Sequence, residues 1–288
     1  MVAGAVFTLL ISAIFYLFPT IDRNFTYLFY TPGEGFAAAR MRGLIDFRNL
    51  ASNLSVALPV MLGLCLALKL IYPAKPCLVS PRFSCFFIGL FLLGPGLLVN
   101  GVLKTLWGRP RPVNTVDFGG PYPFQEAWVM AEHAFYNRSF SSGEAATVAC
   151  LLPLALFVPR EWRWQVTALV AVFVAATSLN RIAFGAHYLS DVTVSIALML
   201  TIAAVLRYLI FVRHEALWRD EVLEARLTSL GEAWARQRAA HAAALGAGVG
   251  AIRQKAALLA SGTAARLRQA GARLTGPRLP AGQPSTAG

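Results

Sequence analysis

The sequence predicts an all-α polytopic membrane protein with about six transmembrane helices. The 288-residue chain is 57% hydrophobic and only 14% charged, which is too apolar for an ordinary soluble domain. Several of its apolar runs approach the roughly 20 residues that a helix needs to cross a bilayer. Arg181, His187 and Asp191 fall between two such runs, so ionisable side chains sit at a membrane boundary.

The first run, Val2 to Phe18, has neither a basic leader nor a small-residue cleavage site, so it reads as a retained helix. Pro19 ends it. Thr20 to Asn53 follows, with Phe25, Tyr27, Phe29 and Tyr30, the turn residues Pro32 to Gly35, and then Arg40, Arg42 and Arg48. Aromatics and arginines in this mixture suit a segment lying along the interface. The second span is Ser55 to Tyr72. The third, Phe83 to Leu103, carries Gly94-Pro95-Gly96, which predicts a kink covered by neighbouring helices. Lys104 to Pro112 closes it, and the polar stretch Val113 to Ser142 leads to a short fourth span, Ala145 to Val158. Val166 to Leu179 and Val192 to Val212 are the fifth and sixth. His214 to Gln269 is rich in Ala and Arg and reads as a surface helix, and Ala270 to Gly288 reads as disordered.

A formal charge of +12 could point to nucleic acid, but much of it lies in the C-terminal tail. Beside a bilayer it reads as topology control and attraction to anionic lipid, with no nucleic-acid partner. The four cysteines lack metal-ligand spacing and read as small hydrophobes, and no metal or cofactor is expected.

With six spans, Lys104 to Pro112, Ser141 to Glu144 and Arg181 to Asp191 share one side of the membrane. A helix starting near Ala186 places His187 and Asp191 on one face, where the carboxylate can accept the imidazole N–H and leave the other nitrogen free to attack. Lys104, Arg111 and Arg181 supply cations, and the Ser142-Gly143 backbone at a helix start can point N–H groups at an anion. Such a set fits a phosphate and in-line attack on phosphorus. Arg109 reads equally as a phosphate contact or a basic anchor, while Trp107, Tyr122 and Trp128 read as headgroup-level aromatics.

Lys104 to Pro112 reads K-x6-R-P and Arg181 to Asp191 reads R-x5-H-x3-D. Both resemble the signature of the type 2 phosphatidic acid phosphatase family, the membrane branch of a superfamily that includes vanadium haloperoxidases. The third motif here begins Asn180-Arg181 where the family has S-R, and the middle motif is Ser141-Ser142-Gly143-Glu144 where the family has P-S-G-H. The resemblance implies a metal-independent lipid phosphate phosphatase. In it His187 is the nucleophile, Asp191 orients it, and Lys104, Arg111, Arg181 and the Ser142-Gly143 turn hold the phosphate. It also implies a division into a first helix with interfacial segment (1–54), a phosphatase core (55–213) and a basic tail (214–288).

Glu144 stands where the family has its acid histidine. A carboxyl can do that job if burial raises its pKa, whereas an ionised carboxylate would repel the phosphate. An active phosphatase with a carboxyl acid, a member that binds lipid phosphates without turnover, and an acid supplied by His133 are the three readings. The distribution of basic residues favours a cytoplasmic tail and a periplasmic site in a bacterial inner membrane. Candidate substrates are phosphatidic acid, phosphatidylglycerol phosphate, undecaprenyl diphosphate and the phosphates of lipid A. The stretch from Phe29 to Phe36 resembles bacterial members related to lipid A phosphatases.

Overall fold

Apolar runs without strand-type alternation leave the chain few options but helix, and the computed structural model, which describes residues 2–131 and 138–274, is built of helices. Among the described residues there is no strand, only isolated bridges pairing Thr31 with Gly35 and Thr115 with Tyr122. Two compact units divide the chain, Met1–Leu230 and Gly231–Gly288.

The first unit opens with α1 (Val2–Leu17) and α2 (Thr20–Tyr27), bent by 81° around Pro19. α3 (Arg42–Ile71) follows a single 3₁₀ turn, Ala37–Arg40. α4 (Pro81–Phe91) starts with a Ser80 cap and Pro81 in its first turn. It runs through a π-helical stretch, Leu92–Leu103, into α5 (Lys104–Leu106). α6 (Gly143–Ala149) is short and continues as a 3₁₀ turn, Leu152–Leu156. α7 (Arg163–Ala183) and α8 (Leu189–Tyr208) are full-length helices, and α9 (Asp220–Leu274) enters the second unit.

Among the described residues, Arg42–Ile71, Pro81–Leu106, Arg160–Ala183 and Leu189–Arg213 are long and apolar enough to cross a membrane, and α1 with α2 makes a fifth span if counted as one broken span. Gly143–Leu156 is apolar but shorter. α3 begins well before the expected second span, because Arg42 to Asn53 are its first turns rather than a segment lying along the interface. The side chain of Arg48 finds a carboxylate partner there instead of lipid headgroups.

Gly94-Pro95-Gly96, the expected kink site of the third span, sits in the π-helical stretch, whose wider turns absorb the missing proline N–H. Asn100 Nδ2 donates to the Pro95 carbonyl at 2.6 Å and satisfies one of the disturbed acceptors. α8 is the central helix, packed against α1, α2, α4, α6 and the π-helical stretch. Its Met199 and Ala203 meet Phe86, Phe87, Leu90 and Leu62 in the main core, while Val194 meets Phe15, Leu103 and Phe140 in a second.

The start of α9 is fixed within the first unit. Asp220 Oδ1 accepts from Ser80 Oγ at 2.7 Å and from the Arg82 backbone N–H at 2.9 Å, and Glu224 accepts from the Cys77 N–H at 2.9 Å. From the stretch expected to be disordered, residues 270–274 continue this helix, and 275–288 lie outside the described residues.

Gly94 marks the closest approach of the third span to α8, since a Cβ there would fall 2.4 Å from Met199 Sδ. Gly94→Ala should destabilise the protein by about 1–3 kcal/mol. The same change should cost clearly less in a Met199→Ala background, a non-additivity read by thermal unfolding in detergent.

Candidate active site

The third motif is shaped by a sharp turn between α7 and α8. Gly185 adopts φ +62°, and a Cβ there would lie 2.5 Å from the Phe36 ring, so both conformation and space require glycine. Backbone bonds from Gly185 N to Ile182 O (2.8 Å) and from Ala186 N to Arg181 O (3.1 Å) close the end of α7. His187 follows, and Asp191 lies in the first turn of α8, where its Oδ2 accepts from the Tyr188 backbone N–H at 2.8 Å.

Backbone bonds also tie the three motifs together. The Val113 N–H donates to Gly185 O at 3.0 Å, joining the first to the third. The Ser142 N–H donates to Asp191 O at 3.1 Å, joining the second to the third. Ser142 caps α6 by accepting from the Ala145 N–H at 3.3 Å. Lys104 reaches this helix start, and its Nζ would lie 2.9 Å from a Cβ on Gly143.

His187 is buried, and its Nδ1 lies 2.9 Å from the Ser139 carbonyl. A carbonyl only accepts, so Nδ1 carries the proton and the Nε2 lone pair is left available. This differs from the expected contact with Asp191, whose Oδ2 is 3.6 Å from Nδ1, beyond hydrogen-bonding range. Ser139 couples the two, because its Oγ donates to Asp191 Oδ2 at 2.6 Å while its carbonyl holds the imidazole. Burial lowers the pKa of His187, Asp191 opposes this, and Arg181 and Lys104 add to it, which favours the neutral ring.

The remaining acceptor of Asp191 goes to Arg109, which is no surface anchor and, among the described residues, pairs with carboxylates, a hydroxyl and a backbone carbonyl apart from the cation cluster. Arg109 is fully buried. Its Nη1 donates to Asp191 Oδ1 at 2.6 Å and Ser190 Oγ at 2.7 Å, its Nη2 to Asp22 Oδ2 at 2.8 Å, and its Nε to the Gln125 carbonyl at 2.9 Å. The guanidinium carbon stacks 4.3 Å from the Tyr188 ring centre. Burial opposes its charge, but Asp191 and Asp22 outweigh burial and push its pKa above the ordinary guanidinium value. Asp22, far away on α2, is its second carboxylate, a partner that no local spacing signals.

Around His187, Lys104, Arg111 and Arg181 lie close enough to repel one another, and Glu144 lies among them. Glu144 is ion-paired twice. Its Oε1 accepts from Arg48 Nε at 2.8 Å, and its Oε2 pairs with Arg181 Nε. Burial alone would favour the neutral acid, as expected from sequence, but two guanidinium groups face the carboxylate and favour its charged form. In this arrangement Glu144 is an ionised carboxylate seated on a cation of the cluster.

Trp107 and Trp128 meet edge to face at 5.5 Å and pack on Phe140, beside the middle motif. His133 lies outside the described residues. Among the described residues no group of three or more His, Cys, Asp or Glu side chains converges that could hold a metal ion.

Removing Arg109 strands two buried carboxylates. Arg109→Met should cost about 3–5 kcal/mol, and Asp22→Asn in the same chain should return part of it, both read by thermal unfolding in detergent.

The PAP2 superfamily profile matches residues 84–215. Over 194 residues the chain is 40% identical to a protein of Rhizobium etli named Lipid A 4'-phosphatase, covering 63% of this chain and 76% of that one. A protein of the same name from Rhizobium leguminosarum is 38% identical over 62% of this chain and 83% of its own length. One from Francisella tularensis subsp. novicida is 30% identical over 62% and 81%. No solved structure gives a significant match.

Proposed function

Because the chain belongs to the PAP2 superfamily, we propose that it is an integral membrane phosphatase of a bacterium acting on a lipid phosphate monoester, with the phosphates of lipid A as the first class to test. The observation that carries this reading is the imidazole of His187, with Nδ1 committed to the Ser139 carbonyl and Nε2 free beside a cluster of cations.

In the proposed reaction Nε2 attacks phosphorus and the bond to the lipid oxygen breaks. Lys104, Arg111, Arg181 and the Ser142-Gly143 start of α6 hold the phosphoryl oxygens as charge builds on them. Asp191, fixed by Arg109 and Ser139, orients the ring and supports its positive charge in the phosphohistidine. Water then attacks the phosphohistidine, releasing inorganic phosphate and restoring His187. Glu144 acts as the leaving-group acid once the substrate has taken its place on Arg181. A carboxylate that loses a cation and gains a phosphate neighbour takes up a proton, which it passes to the lipid oxygen. No metal takes part in this scheme.

His187→Ala should abolish phosphate release from lipid A and other lipid phosphates by purified protein in detergent, and retained turnover would overturn the assignment. The neutral ring is the nucleophile and its pKa is lowered, so the acid limb of kcat/KM should lie below the ordinary imidazole value of about 6.5. Glu144→Gln should slow poor leaving groups most and leave an activated aryl phosphate nearly unaffected. A second reading has support in the same ion pair: Glu144 occupies a cation that the phosphate needs, as in a protein that binds lipid phosphate without turnover. In that case the parent protein hydrolyses neither substrate.

The proposed topology has six crossings, with Gly143–Leu156 completing the set inside the bundle, the site facing the periplasm and the C-terminal tail in the cytoplasm. At a helical rise of about 1.5–2 Å per residue this segment is shorter than the roughly 30 Å hydrocarbon layer, so its ends depend on surrounding helices. Val116 and Leu267 are exposed. In a cysteine-free background, an impermeant thiol reagent added to spheroplasts should label Val116→Cys and spare Leu267→Cys, and the opposite pattern would reverse the orientation.

A further inference from the structure

Arg48 lies on α3, outside the residues matched by the family profile, yet it holds Glu144 at 2.8 Å. Its side chain is 41% exposed, whereas that of Arg181, the other partner of Glu144, is 6% exposed. The carboxylate thus bridges an accessible guanidinium and a buried one. Behind it lie Ser52, Ser55, Thr147 and Thr177, lining a space of about 10 Å³, too small to hold more than a single water. The Oγ1 of Thr177 is buried there and has no hydrogen-bond partner among the described residues.

We propose that Glu144 is a built-in anion that occupies Arg181 until a phosphate arrives, and that Arg48 is the positioning residue that retains Glu144 when the phosphate displaces it. Glu144 takes the Nε of Arg181, so a phosphoryl group that binds through the Nε edge of the guanidinium fork must displace the carboxylate. An unpaired glutamate would repel an arriving phosphate, whereas a glutamate held by Arg48 has a counter-charge of its own until it takes up the proton that it passes to the leaving oxygen. Thr177 offers the displaced carboxylate a hydroxyl donor that nothing else uses. The device therefore sets how tightly the site takes a phosphate. It rests on the proposed role of Arg181 in phosphate binding.

The test is a double-mutant cycle on Arg48 and Glu144, read by binding of inorganic phosphate to purified full-length protein and by KM and kcat on a lipid phosphate. Arg48→Gln leaves Glu144 with Arg181 as its remaining close partner, so phosphate binding should weaken on the order of tenfold and KM should rise with kcat little changed. Arg48→Lys should restore part of the loss. Glu144→Gln should tighten phosphate binding, and in that background Arg48→Gln should have almost no further effect. If Arg48→Gln weakens binding equally in both backgrounds, Arg48 contacts the phosphate directly and the device is wrong. A fall in kcat at constant KM would also overturn it. Binding of inorganic phosphate needs no turnover, so a parent protein that hydrolyses no lipid phosphate would refute the proposed function while this cycle still decides the role of Arg48.

Discussion

The buried guanidinium of Arg109 is the constraint on which the site geometry rests. Taking a guanidinium and two carboxylates out of water costs several kcal/mol per ion unless every donor and acceptor is placed well. Arg109 meets that condition by joining elements that are distant in sequence: α2 through Asp22, the connecting loop through Gln125, and the start of α8 through Ser190 and Asp191. Asp22 also accepts from the Ser190 backbone N–H at 2.8 Å, so the bend between α1 and α2 is locked to the start of α8. With Asp191 fixed, Ser139 is fixed through its hydroxyl, and with Ser139 the imidazole of His187. The orientation of one ring thus descends from a charge cluster that acts on it through Ser139 and through the close approach of Asp191.

Two charge systems with different tasks lie side by side. The Arg109 cluster is sealed, one cation facing Asp22 and Asp191, and hydroxyl and backbone donors stabilise the extra negative charge. The cluster of Lys104, Arg111 and Arg181 carries an excess of positive charge, offset in this structure by Glu144. A sealed cluster with its donors and acceptors paired suits a structural anchor, because nothing is gained by exchanging its partners. A cation cluster with one partly exposed carboxylate seated in it suits exchange, because an incoming anion finds its donors already arranged.

Much of this was legible in the sequence, and what was not has identifiable reasons. The helical class followed from apolar run length, and the three motifs from spacing within single stretches, where nearby residues determine one another's placement. The expected helix start near Ala186 is not found: α8 begins at Leu189, so His187 precedes it, and the turn at Gly185 rather than a shared helix face brings His187 close to Asp191. Contacts between stretches were a different matter. Nothing in the composition near Asp22 distinguishes it from a solvated residue on a short amphipathic helix, and Arg48 read as one of several interfacial arginines. Ser139 looked like an ordinary part of a serine-containing loop, because its carbonyl acts through the backbone and leaves no side-chain signal. The length of α3 was missed for a related reason: Arg42, Asp46 and Arg48 lowered its apparent hydropathy, yet Arg48 has a partner inside the bundle.

The glutamate of the middle motif and Arg48 are best understood together. Where the family motif has a histidine, an ionised carboxylate lowers the charge of the site by one, at the point where the proposed reaction places a phosphate with up to two negative charges. Left alone, that change would weaken anion binding by direct repulsion and by occupying Arg181. An additional guanidinium from α3 restores the charge and supplies the carboxylate with a second partner. The cations Lys104, Arg111, Arg181 and Arg48, less Glu144, then give the same net charge as the first three beside a neutral histidine. The departure from the family pattern at Glu144 is therefore compensated locally, by a residue lying outside the part of the chain that carries the family motifs.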